Sequence, residues 1–97
     1  MKDQENLEIL RKIYKKPESS QRELAKDLGF SLGKLNYCIK ALQQKGFLKI
    51  KNFQKQNDKV SYIRYMLTPK GISFRTKLTI DFMKRKMKEY DELKSEL

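Results

Sequence analysis

The sequence predicts a small, mainly α-helical fold with one β-hairpin and a long final helix, and three observations carry that reading. Residues 20–46 hold two amphipathic helices separated by a turn of about three residues. Two segments rich in β-branched and aromatic residues follow, and from Pro69 to Leu97 nothing but Gly71 interrupts a helix.

The first of the paired helices opens on Ser20 with Glu23 three residues later, a capping box just before the apolar positions Leu24, Ala25 and Leu28. Gly29 has the permissive backbone with which a helix stops, Phe30 can plug the corner, and Ser31 can cap the second helix. In that helix Leu35, Ile39 and Leu42, with Cys38 beside them, form one apolar face ending at Gly46. The opposite face carries Gly33, Asn36, Tyr37, Lys40 and Gln44. One glycine, two amides, a phenol and an ammonium give the donors, acceptors and low bulk that reading base edges requires, although any amphipathic helix also has a polar outer face.

Phe47 to Phe53 alternates imperfectly around Leu48 and Ile50, and Val60 to Leu67 is a second strand, with the polar segment QKQND between them. A basic hairpin after a helix-turn-helix is a wing, so the predicted architecture is a winged helix-turn-helix. From Gly29 to Arg64 eight basic residues stand against the single acid Asp58, so +7 of the chain's net +11 lies in the second helix and hairpin. Upstream, Leu7, Leu10, Ile13 and Tyr14 give an amphipathic helix over about Asp3 to Lys16, ending before Pro17, as support for the other two.

Thr68 is a usable cap and Pro69 is favoured at the first helical position. A helix from there to Leu97 would reach roughly 42 Å, more than so small a core can use. Its proximal part, near Ile72, Phe74 and Leu78, should fold back on its own domain, while Thr79, Phe82, Met83, Met87, Tyr90, Leu93 and Leu97 should pair with a second copy. Lys84, Arg85, Lys86 and Lys88 precede Glu89, Asp91, Glu92 and Glu96, so an antiparallel partner sets basic against acidic where a parallel one stacks like on like. The expected division is a DNA-binding domain over residues 1–68 and a dimerisation helix over 69–97.

Composition limits the rest. In 97 residues there is room for one modest core but not for a deep catalytic cleft as well. A net charge of +11 and a pI near 9.8 imply an anionic partner. No run approaches the roughly 20 apolar residues of a membrane span, and no signal-peptide pattern is present, so a cytoplasmic, nucleoid-associated protein is expected. With no histidine and one cysteine, neither a zinc cluster nor a Cys-His or Ser-His pair can be built, so we expect no enzyme, no metal and no cofactor. Cys38, on the flank of an apolar face, reads as core packing rather than as a redox sensor.

The blocks SQRELAKDLGFSLGKLNYCIKALQQKGFLKIKNF, YMLTPKGI and LTIDFMKRKMKEY resemble the MarR-family EPS-associated transcriptional regulators over nearly the whole chain. The resemblance implies a bacterial transcription factor of exopolysaccharide gene clusters whose winged helix binds duplex DNA. The broader group encloses a phenolic-ligand pocket with additional terminal helices; this chain shows one such helix, which argues against a small-molecule effector. The expected mechanism is a homodimer that places two recognition helices in the major groove of a pseudo-palindromic site. Asn36 is the first candidate for base contact, then Lys40 and Tyr37, then Gln44, while Ser31, Gly33 and Lys34 approach the backbone or groove floor. Gln21 and Arg22 at the start of their helix could meet a phosphate, and Lys51, Asn52, Lys55, Lys59 and Arg64 of the wing would track phosphates or the minor groove. Two other readings of the same features are a non-specific architectural DNA coater and a winged-helix protein-interaction module.

Overall fold

The computed structural model describes residues 3–54 and 61–97, for 51–54 and 61–64 the backbone alone. Four helices and two strands run in the order α1 (Asp3–Lys15), α2 (Gln21–Leu28), α3 (Leu32–Gln44), β1 (Leu48–Gln54), β2 (Ser61–Leu67) and α4 (Pro69–Ser95). The strands pair antiparallel with Leu48 opposite Leu67 and Gln54 opposite Ser61.

Each helix boundary has a local cause. The Ser20 hydroxyl accepts from Glu23 N and the Ser31 hydroxyl from Lys34 N, both at 3.1 Å, so each cap satisfies an amide that has no partner within its helix. Gly29 ends α2 with φ 70°, where Phe30 N reaches back to Ala25 O at 2.9 Å. Gly46 repeats the device after α3 with φ 81°, and Phe47 N reaches Leu42 O at 3.0 Å. Both are left-handed exits that a side chain would strain, with the last carbonyls bonded back into the helix.

One core gathers all elements. Leu7, Ile9, Leu10 and Ile13 of α1 meet Leu24 and Ala25 of α2, Leu35, Cys38, Ile39 and Leu42 of α3, Leu48, Tyr65 and Leu78. The sequence reading holds for the α3 face but errs at two positions. Tyr14 is 59% exposed, with the Arg75 guanidinium 4.3 Å above its ring, while Ile9 takes the buried place on α1. Ile72 is likewise exposed, and the fold-back of α4 runs through Gly71, Phe74 and Leu78 instead.

Gly71, which interrupts the helical pattern in the sequence, sits where α4 crosses the backbone of Phe47. A methyl group at this position would overlap the Phe47 carbonyl oxygen and lie 2.9 Å from its carbon. The same junction holds the Thr68 hydroxyl, which donates to Gly46 O at 2.6 Å and accepts from Gly71 N at 2.9 Å, and the Phe47 and Phe74 rings, stacked at 4.1 Å. Beyond Phe82 α4 continues away from the core, and the molecule is 62 Å long against 26 and 22 Å across.

Two measurements check this packing. Gly71→Ala should destabilise the fold by about 1–3 kcal/mol in urea unfolding, because backbone rather than a flexible side chain must give way. Burial raises the Cys38 thiol above its ordinary value of 9.0, with Glu5 adding to the shift, and raises the Tyr65 phenol above 10.0. Well below pH 9 both groups are neutral, folded or unfolded; as the pH climbs through 9 and then 10 the unfolded chain ionises first, so stability should fall with rising pH. Tyr65→Phe should flatten the part of that decline lying above pH 10.

Candidate nucleic-acid interface

The core that α3 buries decides what it shows. With Leu35, Cys38, Ile39 and Leu42 turned inward, Gly33, Asn36, Tyr37, Lys40 and Gln44 all stand in solvent, and Tyr37 is 69% exposed. A phenol so exposed contributes nothing to the core. Gly33 is more telling, since a Cβ there would meet nothing within 4 Å. A glycine inside a helix costs about 0.5–1 kcal/mol relative to alanine, and here no packing in the chain requires it. The low bulk leaves room for something that approaches from outside.

The neighbouring elements add two contacts to this face. Gln21, the first residue of α2, donates from Nε2 to Asn36 Oδ1 at 3.4 Å, which joins the two helices across their exposed sides. Lys34 pairs with Glu5 of α1 at 3.0 Å and lies 4.4 Å from the centre of the Phe30 ring. Its ammonium is therefore turned toward α1 and the corner, not outward with Asn36 and Lys40. Sequence reasoning did not find this pair, because 29 residues separate its members and no local pattern links them. Ser31 is committed to its cap, and Arg22 is exposed near the start of α2.

Of the wing positions, Lys51 and Asn52 lie in β1 and Arg64 in β2, and the register sets Lys51 opposite Arg64 and Asn52 opposite Ile63. Lys55 and Lys59 lie outside the described residues. Cys38 is buried with its pKa raised by desolvation, the setting of an inert structural thiol.

On α4, Met83, Met87, Tyr90 and Leu93 are exposed, together with Ile80, which the sequence reading passed over, and Leu97 is exposed just beyond the end of the helix. Two of the residues assigned to pairing face elsewhere. Phe82 is half-buried against the domain's own core, and Thr79 is half-buried with its hydroxyl donating to Arg75 O at 2.8 Å. Among the described residues no helix is long and apolar enough to cross a membrane.

Residues 3–49 match a family model described as winged helix-turn-helix DNA-binding. Among solved structures, the chain is similar to the transcriptional repressor CouR bound to a 23-mer DNA duplex, with a TM-score of 0.68 at 24% identity, covering 90% of this chain and 59% of that one. The fold is a MarR-like winged helix. Streptococcus pneumoniae FabT in complex with DNA superposes with a TM-score of 0.60 at 22% identity, over 90% of this chain and 58% of FabT. Staphylococcus aureus MarR, in complex with salicylate and kanamycin, gives 0.67 at 20% identity, over 90% and 56%. The chain thus spans less than two thirds of the length of these structures, and no curated protein matches it by sequence.

Two variants test this description. Gly33→Ala should raise stability by about 0.5–1 kcal/mol, since helix propensity improves and the new methyl group enters open space. In the native protein the Cys38 thiol should react with a disulfide reagent far more slowly than in urea, because reaction must wait for the core to open.

Proposed function

We propose that the chain is a sequence-specific duplex-DNA-binding regulator of transcription that acts as a homodimer. The observation that carries the proposal is the outer face of α3, where exposed amide, phenol and ammonium groups surround a glycine that the fold does not need. The sequence from Gly29 to Arg64 carries eight basic residues against one acid, and winged helices of the same fold are found on DNA in the FabT and CouR structures. Asn36, Lys40 and Tyr37 read base edges, with Gln44 at the far end of the face. Ser31 and Gly33 lie close to the DNA backbone, and Lys34, held by Glu5, supports the α3 terminus. Arg22 and the wing residues Lys51, Asn52, Lys55, Lys59 and Arg64 meet phosphates.

Residues 1–68 form the reading head, and the segment 69–97 that holds α4 joins two copies through Met83, Met87, Tyr90, Leu93 and Leu97, with Ile80 beside them. The apolar contacts supply affinity, and the basic-then-acidic order selects the antiparallel arrangement, because surface ion pairs alone are worth only about 0–1 kcal/mol. Two heads so joined address half-sites about 34–36 Å apart, or a multiple of that, on a pseudo-palindromic site. The resemblance to EPS-associated regulators makes exopolysaccharide genes the proposed targets.

Salt titration of duplex binding tests the charge of the interface. A dimer that neutralises about 6–10 phosphates should lose roughly 10³–10⁵ in affinity between about 50 and 200 mM salt. Weak binding to every duplex at low salt would favour the protein-interaction reading instead. Asn36→Ala should relax preference at one base position per half-site, costing about 1–3 kcal/mol there, while Met87→Glu should give monomers in sedimentation. Equal losses on specific and random duplexes for Asn36→Ala would remove it as a base reader.

A further inference from the structure

We propose that the far end of each α4 docks on the head of a second copy, where Leu93 and Leu97 cover a cleft beside Ile72 that one chain alone leaves open. This rests on the homodimer proposed above and assigns its register and the place on each head that receives the partner. The cleft, about 190 Å³ in volume, lies where the end of α1, β2 and the start of α4 meet, and Tyr14, Pro17, Met66 and Ile72 line it. Tyr14, Met66 and Ile72 are exposed, so large side chains from three elements share one uncovered patch. Arg75 stands at its edge, with the guanidinium 4.3 Å above the Tyr14 ring and a buried Nε that has no hydrogen-bond partner among the described residues.

The exposed apolar side chains of α4 match one another when one copy is reversed against the other. Laid antiparallel with Met83 beside Met87, two copies also bring Ile80 beside Tyr90 and Ile72 beside Leu97, and by symmetry every contact occurs twice. A slip of one heptad toward the tails leaves Ile72 without a partner. A slip the other way carries Leu97 past the start of the partner's α4 and sets Tyr90 against Ser73. In the matched register the two Ile72 positions lie about 38 Å apart along the pair, at about 1.5 Å per residue, so the dock also sets the span between the heads.

The flanks of the helix bring the partner to the cleft. Arg75, Phe82 and Leu93 recur at seven and eleven residues and so lie on one flank, the one that Arg75 shows to Tyr14. Antiparallel helices set each flank against the same flank of the other, which puts the partner's Leu93 beside Arg75 and the partner's Leu97 on Ile72. Parallel copies would carry the tails away from the heads and leave the cleft open. Charge agrees with the matched register: the partner's Glu96 comes to Arg75 on this flank, and the partner's Asp91 to Lys77 on the other. The two copies of Lys84 meet near the centre, where long exposed side chains splay into solvent.

Disulfide trapping reads direction and register on the full chain, since Cys38 is buried and the positions chosen are exposed. Ile72→Cys and Leu97→Cys chains, mixed in equal amounts and oxidised, should give a cross-linked heterodimer, whereas Ile72→Cys alone should give little. Cross-linking of Ile72→Cys with itself marks a parallel pair, and preferential cross-linking of Leu97→Cys to Ile80→Cys marks a slipped register; either result, or no cross-link in a dimeric protein, overturns the inference and leaves the homodimer standing. Met66→Glu reads the dock on the head separately, because Met66 lies in β2 and not on α4. It stands opposite Lys49 in the hairpin, so the new carboxylate gains a cross-strand partner and the variant should fold. It should weaken dimerisation about tenfold in sedimentation, with far-UV circular dichroism unchanged. A dimer that ignores Met66→Glu pairs through α4 alone and overturns the dock. Wild-type chains that sediment only as monomers overturn the homodimer and the inference together.

Discussion

The close approach of α4 to the backbone of Phe47 is the constraint on which the rest of the molecule depends. Gly71 lets the helix pass where a methyl group would overlap a carbonyl oxygen, and the Thr68 hydroxyl ties the start of α4 to the Gly46 carbonyl at the end of α3. The Phe47 and Phe74 rings stack across the same point, and Lys70 donates to Lys45 O at 3.0 Å. A long helix and the helix with the exposed polar face are thereby fixed to each other at one junction. Without it, α4 would be a tether; with it, the direction in which a second copy could be held follows from the direction of α3.

The second half of the design lies at the other end of α3. Its start is capped by Ser31, connected to α2 through the Gly29 exit, and linked to α1 through the Lys34–Glu5 pair. That pair is partly exposed and contributes at most about 1 kcal/mol, so its effect is on where the ammonium sits more than on stability. Burial of Leu35, Cys38, Ile39 and Leu42 supplies the larger energy, at about 1.5–3 kcal/mol for each large aliphatic side chain. The outer face is thus held in place by residues that have no part in its chemistry, which leaves it free to carry a glycine and a tyrosine that the fold does not need.

Much of this was legible in the chain because it rests on local rules. Ser20 with Glu23, Gly29 and Ser31 announce two helices and a turn within a dozen residues, and the three- and four-residue spacing of Leu35, Ile39 and Leu42 separates core from surface on α3. The limits of the first strand moved by one residue at each end, to Leu48 and Gln54, as edge positions do. What escaped was non-local. Gly71 looked like an interruption because its reason lies across space at Phe47. Tyr14 and Ile9 share one helical pattern, and only the position of α4, which brings Arg75 over the Tyr14 ring, decides which of them is buried. Phe82 adjoins the pairing stripe in the sequence, yet the underside of α4 still overlies the core at that turn. The links from Gln21 to Asn36 and from Glu5 to Lys34 need the folded arrangement to exist at all.

The central claim is that the outer face of α3 reads a base sequence and that α4 places two such faces on one site. Selection of bound fragments from a random duplex library, with the mass of the selected complex determined on the same sample, tests it most directly. The account predicts an enriched motif with two inverted half-sites about one helical turn apart, or a multiple of that, carried by two copies of the chain. Fragments without a common motif, or a motif bound by a single copy, would contradict it.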